Sequence, residues 1–201
     1  MPRSFRLVAF VVLAALGIVP ACFAGPFGFE KGMTKAQIIA LVGEKGVKTQ
    51  GEDFIELSTA PKPHALIDTY ILRISPDKGL LKVIAVSKQI ETTIYGDELR
   101  SKFKEVAEAM GGTYGPSTHS LDFVRSGSIW HEPEDWMMAL NKKERTLETY
   151  WQFKPAREGL TVADVEALAL TRNIGFLKLT YEFDGWEEYA DLVNKKKNSV
   201  F

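Results

Sequence analysis

The chain has 201 residues, 45% of them hydrophobic, with 25 Lys and Arg against 26 Asp and Glu and a single cysteine. The formal net charge of −1 and the intermixed signs exclude the basic face that nucleic-acid binding needs. One cysteine excludes an intramolecular disulfide, and this apolar content without low-complexity tracts is that of a chain that folds fully around a core.

The chain opens MPRSFRLVAFVVLAALGIVPACFAGP. Arg3 and Arg6 precede the 13-residue apolar run Leu7 to Val19, which is too short to span a bilayer comfortably and has the pattern of an export signal. Residues 1–24 are therefore expected to be a signal peptide cleaved after Ala24, leaving 25–201 as a periplasmic or secreted protein with no transmembrane span. Val19-Pro20-Ala21-Cys22 also resembles a lipoprotein box, whose use would anchor the protein to a membrane through Cys22. Pro20 is atypical in such a box and ordinary a few residues before a simple cleavage site, so the soluble form is favoured. Either way the exported chain keeps no thiol for a cysteine nucleophile or a cysteine metal site.

FGFEKGMTKAQIIALVG, residues 27–43, contains a Lys-Gly pair and three glycines. A phosphate-binding P-loop needs G-x-x-x-x-G-K-[ST] after a strand; here Gly28 and Gly32 are four apart, Met33-Thr34 follows, and no strand precedes. A helix accounts for the residues better. Thr34 with Gln37 three positions on forms a capping box, Met33 and Ile38 are placed as a hydrophobic staple, and Gly43 stops the helix. Ile38, Ile39, Leu41 and Val42 are expected to form its buried face.

The run Gly32-Met33-Thr34 with Ile38, Leu41 and the closing Gly43 resembles the opening helix of the SmpA/OmlA (BamE-like) outer-membrane lipoproteins and of the tandem β-lactamase-inhibitor-like proteins. The resemblance implies a small exported α+β module that binds other proteins. It carries over no functional residue, since the proline that usually follows the closing glycine and the paired cysteines of the inhibitor-like modules are both missing.

Further along, Asp53 to Leu57 gives a short strand signal, and Ile67 to Ile74 another with Tyr70, Leu72 and Ile74 on one side. Ser75-Pro76-Asp77-Lys78-Gly79 is a turn that leads into a β-rich stretch, Leu80 to Thr92, so the two strands form a hairpin. Asp97 is expected to cap a helix whose Leu99, Phe103, Val106, Ala107 and Met110 form one stripe and which ends at Gly111-Gly112. Residues 113–129 read as an irregular linker. Pro133 begins a helix with Trp136, Met137 and Leu140 that ends in Lys142-Lys143. Strands follow at Leu147 to Phe153, Val162 to Leu170 and Leu177 to Phe183, and a last helix places Trp186, Tyr189, Ala190 and Val193 on one face. The expected fold is α+β: a single domain with an antiparallel sheet, helices on one face, and two αβββα halves, 28–115 and 130–201, as an internal pseudo-repeat.

Residues that could carry chemistry are few. His64, His119 and His131 have no zinc-site spacing. His131-Glu132-Pro133-Glu134-Asp135 lacks the second histidine of H-E-x-x-H and has a proline inside the segment that must be helical. Ser126-Gly127-Ser128 lacks the G-x-S-x-G elbow. Glu182, Asp184, Glu187 and Glu188 read as a solvated surface rather than a glycosidase pair. Trp151 and Trp186 read as core, whereas Trp130, beside Gly127-Ser128 and His131, is a candidate for interaction. These features predict no catalytic, cofactor or metal residues and an exported, non-enzymatic protein that binds an envelope protein as an assembly factor, inhibitor or immunity protein. The alternative is a periplasmic small-ligand or glycan-binding module. Trp130 and His131 are the candidate interaction residues.

Overall fold

Alternation of apolar and polar residues along successive segments builds one sheet with two unlike faces. The computed structural model describes residues 25–198; the expected signal peptide and Cys22 lie outside them. In chain order the elements are α1 (Lys35–Val42), β1 (Val47–Gln50), β2 (Phe54–Leu57), β3 (Ile67–Ser75), β4 (Gly79–Ser87), β5 (Ile90–Glu91), α2 (Asp97–Tyr114), β6 (His119–Val124), α3 (Trp136–Asn141), β7 (Arg145–Arg157), β8 (Leu160–Ala169), β9 (Ile174–Phe183) and α4 (Trp186–Asn198). Nine strands form one antiparallel sheet in the order β1-β2-β3-β4-β9-β8-β7-β6, and β5 extends the β4 line by pairing with the start of β9. The fold is α+β.

The two chain halves meet where β4 pairs with β9, from Lys82↔Glu182 to Val86↔Lys178. Residues opposite one another in an antiparallel pair share a face. Val83, Ala85, Ala163, Val165, Leu177, Leu179 and Tyr181 therefore line one face, and all are buried. Where β4 leaves β9, the Leu177 N–H donates to Ser87 Oγ at 2.9 Å, so a buried serine satisfies the donor that the ladder drops. The small residues Ala163 and Ala167 on β8 leave room for α2 and α3, which both pack over that strand.

The helix α1 forms as its cap residues dictate. Thr34 Oγ1 accepts the Gln37 N–H at 3.3 Å, and Gln37 Oε1 accepts the Thr34 N–H at 2.9 Å. Ile38 is fully buried, but Leu41 is 52% exposed and is not part of the buried face. At about 100° per residue, Leu41 lies roughly 105° from the centre of the stripe made by Ile38, Ile39 and Val42, on its flank. In α2 the cap is Gly96, left-handed at φ 74°, with Asp97 inside the first turn rather than capping it. A Cβ at Gly96 would lie 2.2 Å from the Trp136 ring, so both the backbone and the packing call for glycine. Asp97 and Glu98 instead accept the Thr93 and Thr92 hydroxyls, each at 2.7 Å. The helix runs through Gly111-Gly112 to Tyr114, and Gly115 closes it with its N–H on Gly111 O at 2.8 Å.

Residues 113–129 are not an irregular linker. Their centre is β6, which pairs with β7 from His119↔Tyr150 to Val124↔Arg145. An edge strand with little buried surface needs no apolar alternation, so backbone pairing alone defines it. The second half reads α3-β7-β8-β9-α4, whereas the first carries five strands between α1 and α2 and β6 stands between them. The expected equal αβββα order is thus not the order observed. Helices α1, α2 and α3 serve the apolar face. In α4, Trp186 instead lies 4.8 Å from the ammonium of Lys82, a residue of the other face, and it is half-buried rather than core.

Candidate functional site

The stripe on α2 that faces β3 and β9 does not close completely on the sheet. Between them lies a cleft of about 540 Å³. Helix α2 supplies Val106, Met110 and Tyr114, the start of β3 supplies Ile67 with Leu66 before it, and β9 supplies Leu179 and Tyr181 as the floor. This is the size and apolar character of a small-molecule site.

Phe27 forms one wall. It lies in a 3-10 turn, Pro26–Gly28, at φ 57° and ψ 19°, the left-handed region that a bulky side chain rarely adopts. Its carbonyl accepts the Lys62 N–H at 2.9 Å, and its ring packs edge-on against Tyr70 at 5.1 Å and Tyr181 at 5.7 Å. The Pro61-Lys62-Pro63 loop brings His64 to the rim. There the His64 N–H donates to the Tyr70 hydroxyl at 3.1 Å, and His64 Nδ1 accepts the Leu66 N–H at 3.2 Å. The rim charges of Lys102 and Glu105 are paired with each other.

Two tyrosines give the cleft its polarity. Tyr181 is 5% exposed, and its hydroxyl has no hydrogen-bond partner among the described residues. Burial raises its pKa well above the ordinary value, and Tyr114 and Asp164 add to the rise. Burial also raises that of Tyr114, against a lowering pull from Arg157. Both hydroxyls therefore stay protonated at neutral pH and can donate. Beyond Tyr114 a second hollow of about 350 Å³ is lined by Pro26, Lys31, Arg157, Leu160 and Phe183.

Two other places compete. A dish of about 580 Å³ lies between α2 and the β6–β7 strands. It is shallow, and several of its polar groups are paired within the protein: Ser120 pairs with Thr149 at 3.0 Å, and Trp151 Nε1 donates to Gly115 O at 2.8 Å. The opposite face of β7, β8 and β9 carries Glu148, Asp164, Glu166 and Lys178. Lys178 is bound to Glu166. Asp164 is pushed up to about 7, chiefly by burial, with Lys178 opposing and Glu148 adding to the rise, and its Oδ1 is buried without a partner. Among the described residues no group of three or more His, Cys, Asp or Glu is placed to hold a metal ion.

The residues expected from sequence lie elsewhere. Trp130 and His131 stand in the loop between β6 and α3, outside the cleft. The Trp130 N–H donates to Ser128 Oγ at 3.0 Å; His131 is exposed, with Nδ1 3.3 Å from Ser128 O and Nε2 3.4 Å from Glu132. Trp151 is core at 2% exposed. Glu182, Asp184 and Glu188 are each paired with a lysine, Lys82, Lys31 and Lys78 respectively. The sequence reading placed Tyr181 correctly in the alternating β9 run. It gave no sign that its hydroxyl would be left over, because that depends on what packs above the strand. No family model matches the chain, and it matches no curated protein and no solved structure at a significant level.

Proposed function

We propose that this protein is an exported, non-enzymatic module that binds a small, mostly apolar ligand in the cleft between α2 and β9. The observation that carries the reading is the pairing of an apolar hollow of about 540 Å³ with a tyrosine, Tyr181, on its floor. A tyrosine hydroxyl that lines an apolar hollow can donate a hydrogen bond to an acceptor on a ligand held there. The export signal and the cleavage after Ala24 belong to the same proposal, which puts the protein in the periplasm or outside the cell. Calorimetric titration with naphthalene tests the cleft. Saturable binding, lost when Val106→Trp fills the hollow in a variant that still unfolds cooperatively, supports the reading; wild-type binding that survives Val106→Trp contradicts it.

A protein partner in the envelope is the second reading. It is supported by the free edge of β6, where Phe123 is half exposed, by Ile129 at 73% exposed in the loop of Trp130 and His131, and by the resemblance of the opening helix to protein-binding modules. Phe123→Asp and Ile129→Asp should abolish stoichiometric recovery of one envelope protein; recovery unchanged in both would remove the edge from consideration.

A further inference from the structure

The cleft also says what kind of ligand it accepts, an inference that rests on the small-ligand reading above. We infer that the ligand is uncharged: an apolar body with one hydrogen-bond acceptor, such as a ketone, ester or amide carbonyl, received by the hydroxyl of Tyr181.

Three observations combine. The walls are mostly apolar, with Phe27, Leu66, Ile67, Val106, Met110 and Leu179, and the Thr113 hydroxyl beside them donates to Ala109 O at 3.3 Å. The hydroxyls of Tyr181 and Tyr114 are held protonated by burial and so are donors, and an acceptor on the ligand completes Tyr181. The charged side chains Lys102 and Glu105 at the mouth are bound to each other. A carboxylate or an ammonium carried to the floor would lose its water and meet no opposite charge there, which costs several kcal/mol (roughly) in a protein interior. A neutral carbonyl loses far less and regains a hydrogen bond. A pure hydrocarbon would fill the space but leave the Tyr181 hydroxyl unsatisfied.

A matched set of probes tests this: naphthalene, 2-acetylnaphthalene and 2-naphthoate, titrated calorimetrically into the purified protein and its Tyr181→Phe variant. In the wild type the ketone should bind tightest, the hydrocarbon next and the carboxylate at least tenfold more weakly than the ketone. Tyr181→Phe should weaken the ketone about two- to tenfold, the range expected for one net hydrogen bond, and leave naphthalene within about twofold. The infrared carbonyl stretch of the bound ketone is a readout that needs no variant; a shift to lower frequency than in hexane is expected in the wild type. Tighter binding of 2-naphthoate than of the ketone would overturn the assignment, as would a carbonyl stretch at its hexane position. Equal affinities of ketone and hydrocarbon, unmoved by Tyr181→Phe, would overturn it as well, and in all three cases the cleft would still stand as a binding site. If none of the probes binds the wild type, the small-ligand reading falls and this inference falls with it.

Discussion

The two faces of the sheet are made by the same strands and have opposite characters. On β8 and β9, Ala163, Val165, Leu177, Leu179 and Tyr181 point to the side covered by α2 and α3, while Asp164, Glu166, Lys178 and Glu182 point to the other. The covered face satisfies its few polar groups locally, with Trp151 Nε1 on Gly115 O, and leaves the hydroxyl of Tyr181 over. The other face pairs its charges with one another, Lys178 with Glu166 and Lys82 with Glu182, and leaves an oxygen of Asp164 over. The difference teaches where a ligand would find use: a leftover donor in an apolar hollow can be completed by a small molecule, whereas a leftover carboxylate oxygen among charges is completed by a proton.

The largest effect expected from breaking this contrast is in the core. Leu177 is fully buried on the covered face, so Leu177→Ala should destabilise by about 2–5 kcal/mol in urea denaturation. Lys82→Ala on the opposite face removes a half-buried ion pair and the contact with Trp186, and a loss near 1 kcal/mol is expected. Equal losses for the two would mean that the faces are not energetically distinct.

The polar face should reveal itself through pH. Asp164 takes up its proton far more readily in the folded state, at about 7, than its ordinary value of 3.8. Between those values the folded protein holds a proton that the unfolded chain has lost, so stability falls as pH rises from about 4 to 7 and is flat above. Asp164→Asn should flatten that slope in thermal unfolding across pH 4–8, and a slope that persists unchanged in the variant would assign it to other groups.

Smaller effects sharpen the comparison at the helices that cover the apolar face. Thr34→Ala removes the side-chain half of the α1 cap and should cost about 1 kcal/mol. Gly112 lies inside α2 with open space where a Cβ would go, so Gly112→Ala should stabilise by about 0.5–1 kcal/mol. A loss of stability there would mean that α2 needs its flexibility beside the cleft. Chemical denaturation reads both.

Much of the scaffold was legible in the chain. The cap of α1, the β3–β4 hairpin and its turn, the buried stripe of α2 and the β9 alternation all follow from local residue types, because their hydrogen bonds close within a few residues or their periodicity is set by one buried side. The strands β1 and β6 escaped notice because they are edges with little buried surface, and the true start of α2 escaped because a left-handed Gly96 under Trp136 replaces the side-chain cap that Asp97 advertised. The candidate site was less legible still. Trp130 and His131 stood out by residue type beside a glycine, whereas Phe27, Leu66, Val106, Met110 and Tyr181 come from four separate segments and look individually like ordinary core.

By itself the amino-acid sequence determined which residues of β3, β9 and α2 turn inward, since alternation and helical periodicity act over a few neighbours, and it determined the antiparallel class of the sheet through short connections. Only the tertiary structure decided that β4 would join β9 across 100 residues of chain at Lys82↔Glu182. It also decided that α2, β3 and β9 would leave a hollow between them over Tyr181. Those outcomes depend on how whole surfaces fit, and a side chain's partners across such a fit are fixed by volume and shape rather than by any local pattern.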